Sequence, residues 1–239
     1  MDWERDKRRS YMGMAIERSS LPLGSCESCK MRASSDRWAS AVRCLSHLDH
    51  VDGSQKIYPG YPLPTLLRLA ILVKHTAPYK PLDVVMSFCH LNLQNRTLLD
   101  FKTAFERRAG VKRVLAASPL SMKLLTPNPP AWHPAPENFK EAVKDAVQVS
   151  KGPDGESGLP ELALQYAFQR AREVGIPTVV GLGSLKDVHE NAQIWYRVDK
   201  QGLGESEAWK QRVQEVISVF GNGDGGLLDR SWENPRFSE

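Results

Sequence analysis

One short stretch carries the chain's clearest chemical pattern. Thr178, Val179 and Val180 are β-formers, glycines follow at Gly181 and Gly183, and Ser184 then opens a helical pattern containing Lys186, Asp187, Glu190 and Asn191. A strand, a tight glycine turn and a capped helix start offer N–H groups without intrahelical acceptors and a partial positive charge, a combination that attracts anions such as phosphate. The same stretch also reads as an ordinary βα turn, which needs a glycine and an N-cap whatever its function. The spacing puts Leu185, Val188 and Ala192 on one side of the helix.

A second constellation is Cys26, Cys29, Cys44 and His47, spaced C-x2-C-x14-C-x2-H, with His50 as a spare. Thiolates and imidazole at such spacing can hold a tetrahedral zinc ion. The segment lacks the aromatic and glycine pattern of small zinc modules, so it is read as unconnected thiols and no metal is expected. Cys89 falls in an apolar run and is read as a packed core thiol. His75 ends a helical pattern, where it complements the helix dipole. Trp195 and Trp209 lie at helical spacing and are read as core or interface residues.

The elements that must position these residues begin near residue 57. Residues 1–56 show no sustained period and are read as a poorly structured N-terminal arm. Beyond it the pattern predicts helices over 64–76, 97–110, 137–151, 159–175 and 206–220, besides the helix after Ser184. It predicts strands over 82–90, 111–118 and 177–182, with a poor strand near Gln55–Tyr58 and a proline-rich loop over 118–136. Strands alternating with helices mean βαβ units and a parallel sheet. Continuous apolar strands further predict that both sheet faces are covered. A doubly wound sheet and part of a (β/α)₈ barrel both satisfy this order. Each places ligands at the C-terminal ends of the strands, so the loops after the strands are the candidates for a site.

Bulk properties remove other classes. The 239 residues carry a net charge of +4 with both signs interspersed, 41% apolar and 25% charged residues. No basic stripe interleaves with aromatics, so a nucleic-acid partner is not expected. The longest apolar run, Leu66–Val73, holds Arg68 and is far too short to span a bilayer, so no membrane association is expected. The charged start lacks the apolar region of a signal peptide, and a cytoplasmic location is expected.

Five motifs in order resemble the aldo-keto reductases: GYPLPTLLRLAILVKHT, PLDVVMSFCHLNLQN, AGVKRVLAASPLSMKLLTPNPPAWHPAP, LALQYAF and VVGLGSLKDVHENAQIW. They look most like the branch that oxidises C1 of aldoses, the D-arabinose and L-galactose dehydrogenases. Coverage is residues 60–199, with a weaker echo in DRSWENP. The resemblance implies a partial TIM barrel, strands five to eight, in a domain over 57–239. It implies hydride exchange between NAD or NADP and a sugar carbon. It places Gly181, Ser184, Glu190 and Asn191 at the adenosine end of the dinucleotide, and Ser118, Leu120 and Ser121 along the pyrophosphate. Glu190 and Asn191 can then accept from and donate to the adenine edge. Trp132 and His133 match a branch motif without an assigned role.

The sequence also departs from the family. Its Asp, Tyr, Lys and His, the set that transfers and tunes the proton, have no matching segment, and no catalytic residue is named. Proline replaces a serine at Pro59, and Lys123 stands where glycine is usual. Two readings stay open: a sugar dehydrogenase, truncated and impaired in catalysis, or a non-catalytic remnant that binds a nucleotide or a partner chain. Exposed sheet edges would favour self-association. Asp187 near the ribose would repel a 2′-phosphate, so NAD is expected to bind slightly better than NADP.

Overall fold

Leu63, Leu66, Leu67, Ala70 and Val73 recur at helical spacing, and all are buried in a 13-residue helix, Leu63–His75, with Pro64 in its first turn. This helix, α1, is the first of six in a computed structural model that describes residues 56–57, 62–151, 158–221 and 226–232. The others are α2 (Leu98–Arg107), α3 (Glu137–Val149), α4 (Leu159–Val174), α5 (Leu185–Lys200) and α6 (Glu207–Gly221). Residues 1–55, with Cys26, Cys29, Cys44, His47 and His50, lie outside the described residues, as does Pro59, while Lys56, read as the end of the N-terminal arm, belongs to the first strand.

Four strands alternate with these helices: β1 (Lys56–Ile57), β2 (Val84–Phe88), β3 (Arg113–Ala117) and β4 (Thr178–Val179). All three neighbouring pairs are parallel, and the order across the sheet is β1-β2-β3-β4. A doubly wound sheet reverses its order at a switch point, whereas this one advances in a single direction. The topology is therefore consistent with a partial α/β barrel.

Two sequence expectations are corrected. β4 has two residues rather than six, because its pairing with β3 is confined to Ala116 with Thr178 and Ala117 with Val179. Nor are both sheet faces fully covered. Val85 and Ser87 are buried, while Val84, Met86 and Phe88 between them are only half-buried. An alternation of this kind marks one tightly packed face.

Besides the buried residues of α1, α2 and the strands, such as Leu66, Phe105, Val85 and Val114, one large apolar cluster among the described residues contains no strand residue. It joins α3, α4 and α6 through Phe139, Leu162, Trp209, Val216 and Phe220, and it takes in Leu93 and Leu124 from the loops after β2 and β3. Trp209 also donates from Nε1 to Gln165 Oε1 at 3.0 Å, so its ring and its polar edge are both satisfied. α4 stops where Gly175 turns left-handed, φ 67°, as its glycine foretold. No helix among the described residues is long and apolar enough to cross a membrane.

Candidate functional site

At the β4–α5 junction the helix start is held by its own residues. Ser184 Oγ accepts from Asp187 N–H at 3.1 Å, and Asp187 Oδ2 accepts from Gly183 N–H at 2.9 Å. This reciprocal cap uses a serine and a residue three positions on, as a capping box does. The Gly183 N–H and then Ser184 hold the Asp187 carboxyl below its usual range, with a further contribution from the positive charge of Lys123. The backbone N–H groups of Leu185 and Lys186 still have no intrahelical acceptor. A Cβ built on Gly181 meets nothing within 4 Å, so the backbone there is open to a ligand.

Leu185, Val188 and Ala192, which the spacing puts on one side of this helix, are exposed, and α5 buries Ile194 and Val198. Of the two tryptophans read as core or interface, Trp209 is core, while Trp195 is 48% exposed near Lys200 and is not core. Lys186 pairs with Glu190 at 3.6 Å, both exposed, so it adds little stability. Asn191 Nδ2 donates to the Asp187 carbonyl at 2.7 Å, and its Oδ1 is buried without a partner.

The neighbouring loop after β3 is built differently. Ser118, Ser121, Met122 and Lys123 all have left-handed backbones, with φ of 64°, 48°, 54° and 72°. Each such residue costs on the order of 1–2 kcal/mol, and none of the four is glycine. Met122 N–H donates to Ser118 Oγ at 2.9 Å. His133 holds the loop from below, with Nε2 2.9 Å from the Ser121 carbonyl and Nδ1 accepting from Ala135 N–H at 3.1 Å. Because Nδ1 accepts, the proton sits on Nε2, which donates to Ser121. Burial lowers the pKa of this imidazole and keeps it neutral, although its bond to Ser121 works the other way.

The loop after β2 forms the third part. Cys89, read from sequence as part of an apolar strand, sits just past β2 at φ 62°, and burial raises its thiol pKa to about 11. His90 is buried, shares a 2.7 Å hydrogen bond with Ser87, and is pushed down to about 4 by burial. Among the described residues no carboxylate bonds to this imidazole, and burial leaves the pair little solvent access, so it is read as structural. Asn92, Gln94 and Asn95 are buried polar residues whose amides turn the loop and reach residues 227–232.

The predicted residues fall into two groups. Ser118 and Ser121 lie at the end of β3, beside the end of β4, since Ser118 N–H donates to the Val179 carbonyl at 3.2 Å. Lys123 lies near enough to Asp187 to act on its charge. The loop bearing Ser118, Leu120 and Ser121 thus adjoins the junction bearing Gly181 and Ser184. Glu190 and Asn191 stand further along α5, and the polar partners of their side chains belong to that same helix. Sequence reasoning missed Gln94, Arg96, Asp229 and Trp232. The signal for the last two was the echo in DRSWENP, and His133 was noticed but given no role.

A dinucleotide fits this arrangement on three counts. The helix start keeps free N–H groups, the space over Gly181 is open, and Ser121 Oγ and Asn191 Oδ1 are buried polar atoms without partners. Among the described residues no cluster of three His, Cys, Asp or Glu could hold a metal ion.

Two curated proteins are similar to this chain. It is 36% identical over 144 residues to an L-galactose dehydrogenase of Arabidopsis thaliana, an alignment that covers 60% of this chain and 42% of that protein. It is 33% identical over 131 residues to a D-arabinose 1-dehydrogenase of Saccharomyces cerevisiae, covering 54% and 38%. The chain spans about two fifths of the length of these relatives. No family model matches it. Both similarities support the aldo-keto reductase-like resemblance read from the motifs.

Proposed function

We propose that this chain is the dinucleotide-binding portion of an oxidoreductase of the aldose dehydrogenase kind, with β1–β4 as the fifth to eighth strands of a barrel. The observation that carries the reading is the juxtaposition of the β3 loop with the capped start of α5. Two loops with free donors and orphaned polar atoms meet there at the C-terminal end of a parallel sheet. The two dehydrogenase relatives supply the reaction class. A bound nicotinamide supplies the hydride acceptor for a sugar carbon. The chain's own part is to hold it: the N–H groups of Leu185 and Lys186 and the hydroxyl of Ser184 toward phosphate, Ser118, Leu120 and Ser121 along the pyrophosphate, and Glu190 and Asn191 toward adenine. A free thiol at Cys89 fits a reducing compartment such as the cytoplasm.

The family's proton-transferring Tyr and its Asp, Lys and His partners have no counterpart in these 239 residues. The purified chain should therefore bind NADH saturably while oxidising D-arabinose or L-galactose at least about 10²–10⁴-fold more slowly than a chain bearing that set. A flat NADH fluorescence titration would overturn the binding claim, and robust turnover the catalytic one. Asp187 sets the choice of cofactor. Its carboxylate, tied to Gly183 beside the candidate adenosine end, would repel a 2′-phosphate bound there, so NAD should be preferred by a few-fold. Asp187→Arg should shift the preference toward NADP.

A further inference from the structure

The left-handed run after β3 has no glycine to favour it, and such backbones persist only where their surroundings over-determine them. The loop's own hydrogen bonds supply part of that determination, and a further part traces to the C-terminal strap, residues 227–232. Gln94 Nε2 donates to the carbonyls of Leu227 and Arg230 at 2.7 and 2.8 Å. Asp229 N–H donates to the Gln94 carbonyl at 2.8 Å, and Arg96 Nη2 meets the Asp229 carboxylate at 2.6 Å. Seated this way, the strap carries Trp232 edge-on against His133, ring centroids 5.0 Å apart, and against Phe139 at 5.6 Å. His133 in turn donates to the Ser121 carbonyl.

We infer that His133 and Trp232 are positioning residues for the dinucleotide: through them the strap fixes the Ser118–Lys123 loop in the shape that lines the pyrophosphate. The ligand named here rests on the function proposed above; the control of loop shape does not. Ser121 adds an independent observation. Its hydroxyl is fully buried and has no partner, whereas a loop free to relax would turn it to a carbonyl or to water. The lock holds the unpaired hydroxyl in place. The ring of Trp232 limits the tilt of the imidazole, and the bond from Ala135 fixes the tautomer that can reach Ser121. The β4–α5 junction meets this loop through the Ser118–Val179 hydrogen bond and the charge of Lys123, and its own cap is made within Gly183–Asp187, so the strap should govern one end of the ligand far more than the other.

The test uses the full chain and two readouts. Hydrogen exchange compares peptides from 118–125 with peptides from 185–200, and titration compares NADH with adenosine monophosphate, which reaches only the α5 end. His133→Leu and Trp232→Leu should each speed exchange in 118–125 by about tenfold, the scale of one lost hydrogen bond, with 185–200 unchanged. They should weaken NADH about tenfold and adenosine monophosphate less than about twofold. His133→Gln, which keeps an amide donor near the Nε2 position, should restore most of both. Unchanged exchange in 118–125 would overturn the inference, and so would equal weakening of the two ligands, which is what a purely structural role predicts. If wild type binds neither ligand, the cofactor reading fails by itself, and exchange alone decides whether the strap controls the loop. Should His133→Leu not fold, Trp232→Leu and His133→Gln carry the same comparison.

Discussion

The two loops that meet at the candidate site are stabilised in opposite ways. The β3 loop holds four left-handed residues against their preference and is fixed from outside by His133, Trp232 and the strap. The β4–α5 junction has ordinary backbone geometry and is fixed from inside by Ser184 and Asp187, with Leu182, Leu185 and Val188 exposed around it. One end of the site depends on long-range contacts, the other on a cap made within Gly183–Asp187. Damage to distant residues should therefore reach the first and spare the second.

Acid should separate them most strongly. Both histidines with lowered pKa values, His90 and His133, lie on the externally fixed side. A buried histidine kept neutral stabilises the fold above its unfolded pKa, and that stability is lost as pH falls because the unfolded chain takes up the proton first. For His90, between 6.5 and about 4, the loss amounts to about 3 kcal/mol. Urea unfolding at pH 7.5, 5.5 and 4.5 should show it, and His90→Asn, which keeps an acceptor for Ser87, should flatten the dependence. A slope equal to that of wild type would place the acid sensitivity elsewhere.

Arg96→Ala comes next. Burial works against the charge of Asp229, yet Arg96 holds that carboxyl below its usual range through side-chain and backbone bonds. Removing the guanidinium from a pair that is about one-third exposed should cost about 1–2 kcal/mol. The loss should appear as faster exchange in the strap and the β3 loop, with α5 unaffected. Exchange that rises equally in α5 would erase the contrast between the loops.

Local changes are smaller. Ser184→Ala removes the cap of α5 and should cost about 1 kcal/mol, with faster exchange confined to the first turn of that helix. Lys123→Gly should act with the opposite sign. Lys123 is exposed at φ 72°, so relief of the left-handed strain should raise stability by about 1 kcal/mol, less its attraction to Asp187. Thermal midpoints of the two variants should move in opposite directions, and a destabilised Lys123→Gly would show that its side chain packs rather than merely strains.

The sequence by itself determined what depends on neighbours along the chain. Leu63 to Val73 fixed a helix by their spacing, Gly175 ended one, and Ser184 capped one, because periodicity, left-handed freedom and capping act within a few residues. The glycine turn and N-cap at Gly181–Ser184 marked one candidate loop locally, while the Ser118 loop was marked by its place after a strand and by the family resemblance. Only the tertiary structure decided which apolar residues are core, how long β4 runs, and what holds the β3 loop. Leu185, Val188 and Trp195 have the hydrophobicity of core residues, but nothing packs over them tightly enough to bury them. Gln94 and Arg96 reach the strap across more than 130 residues of chain. His133 meets Trp232 only because that strap is clamped. Contacts of such range leave no period or spacing in the sequence, since a hydrogen bond or a ring contact depends on distance in space and not on separation along the chain.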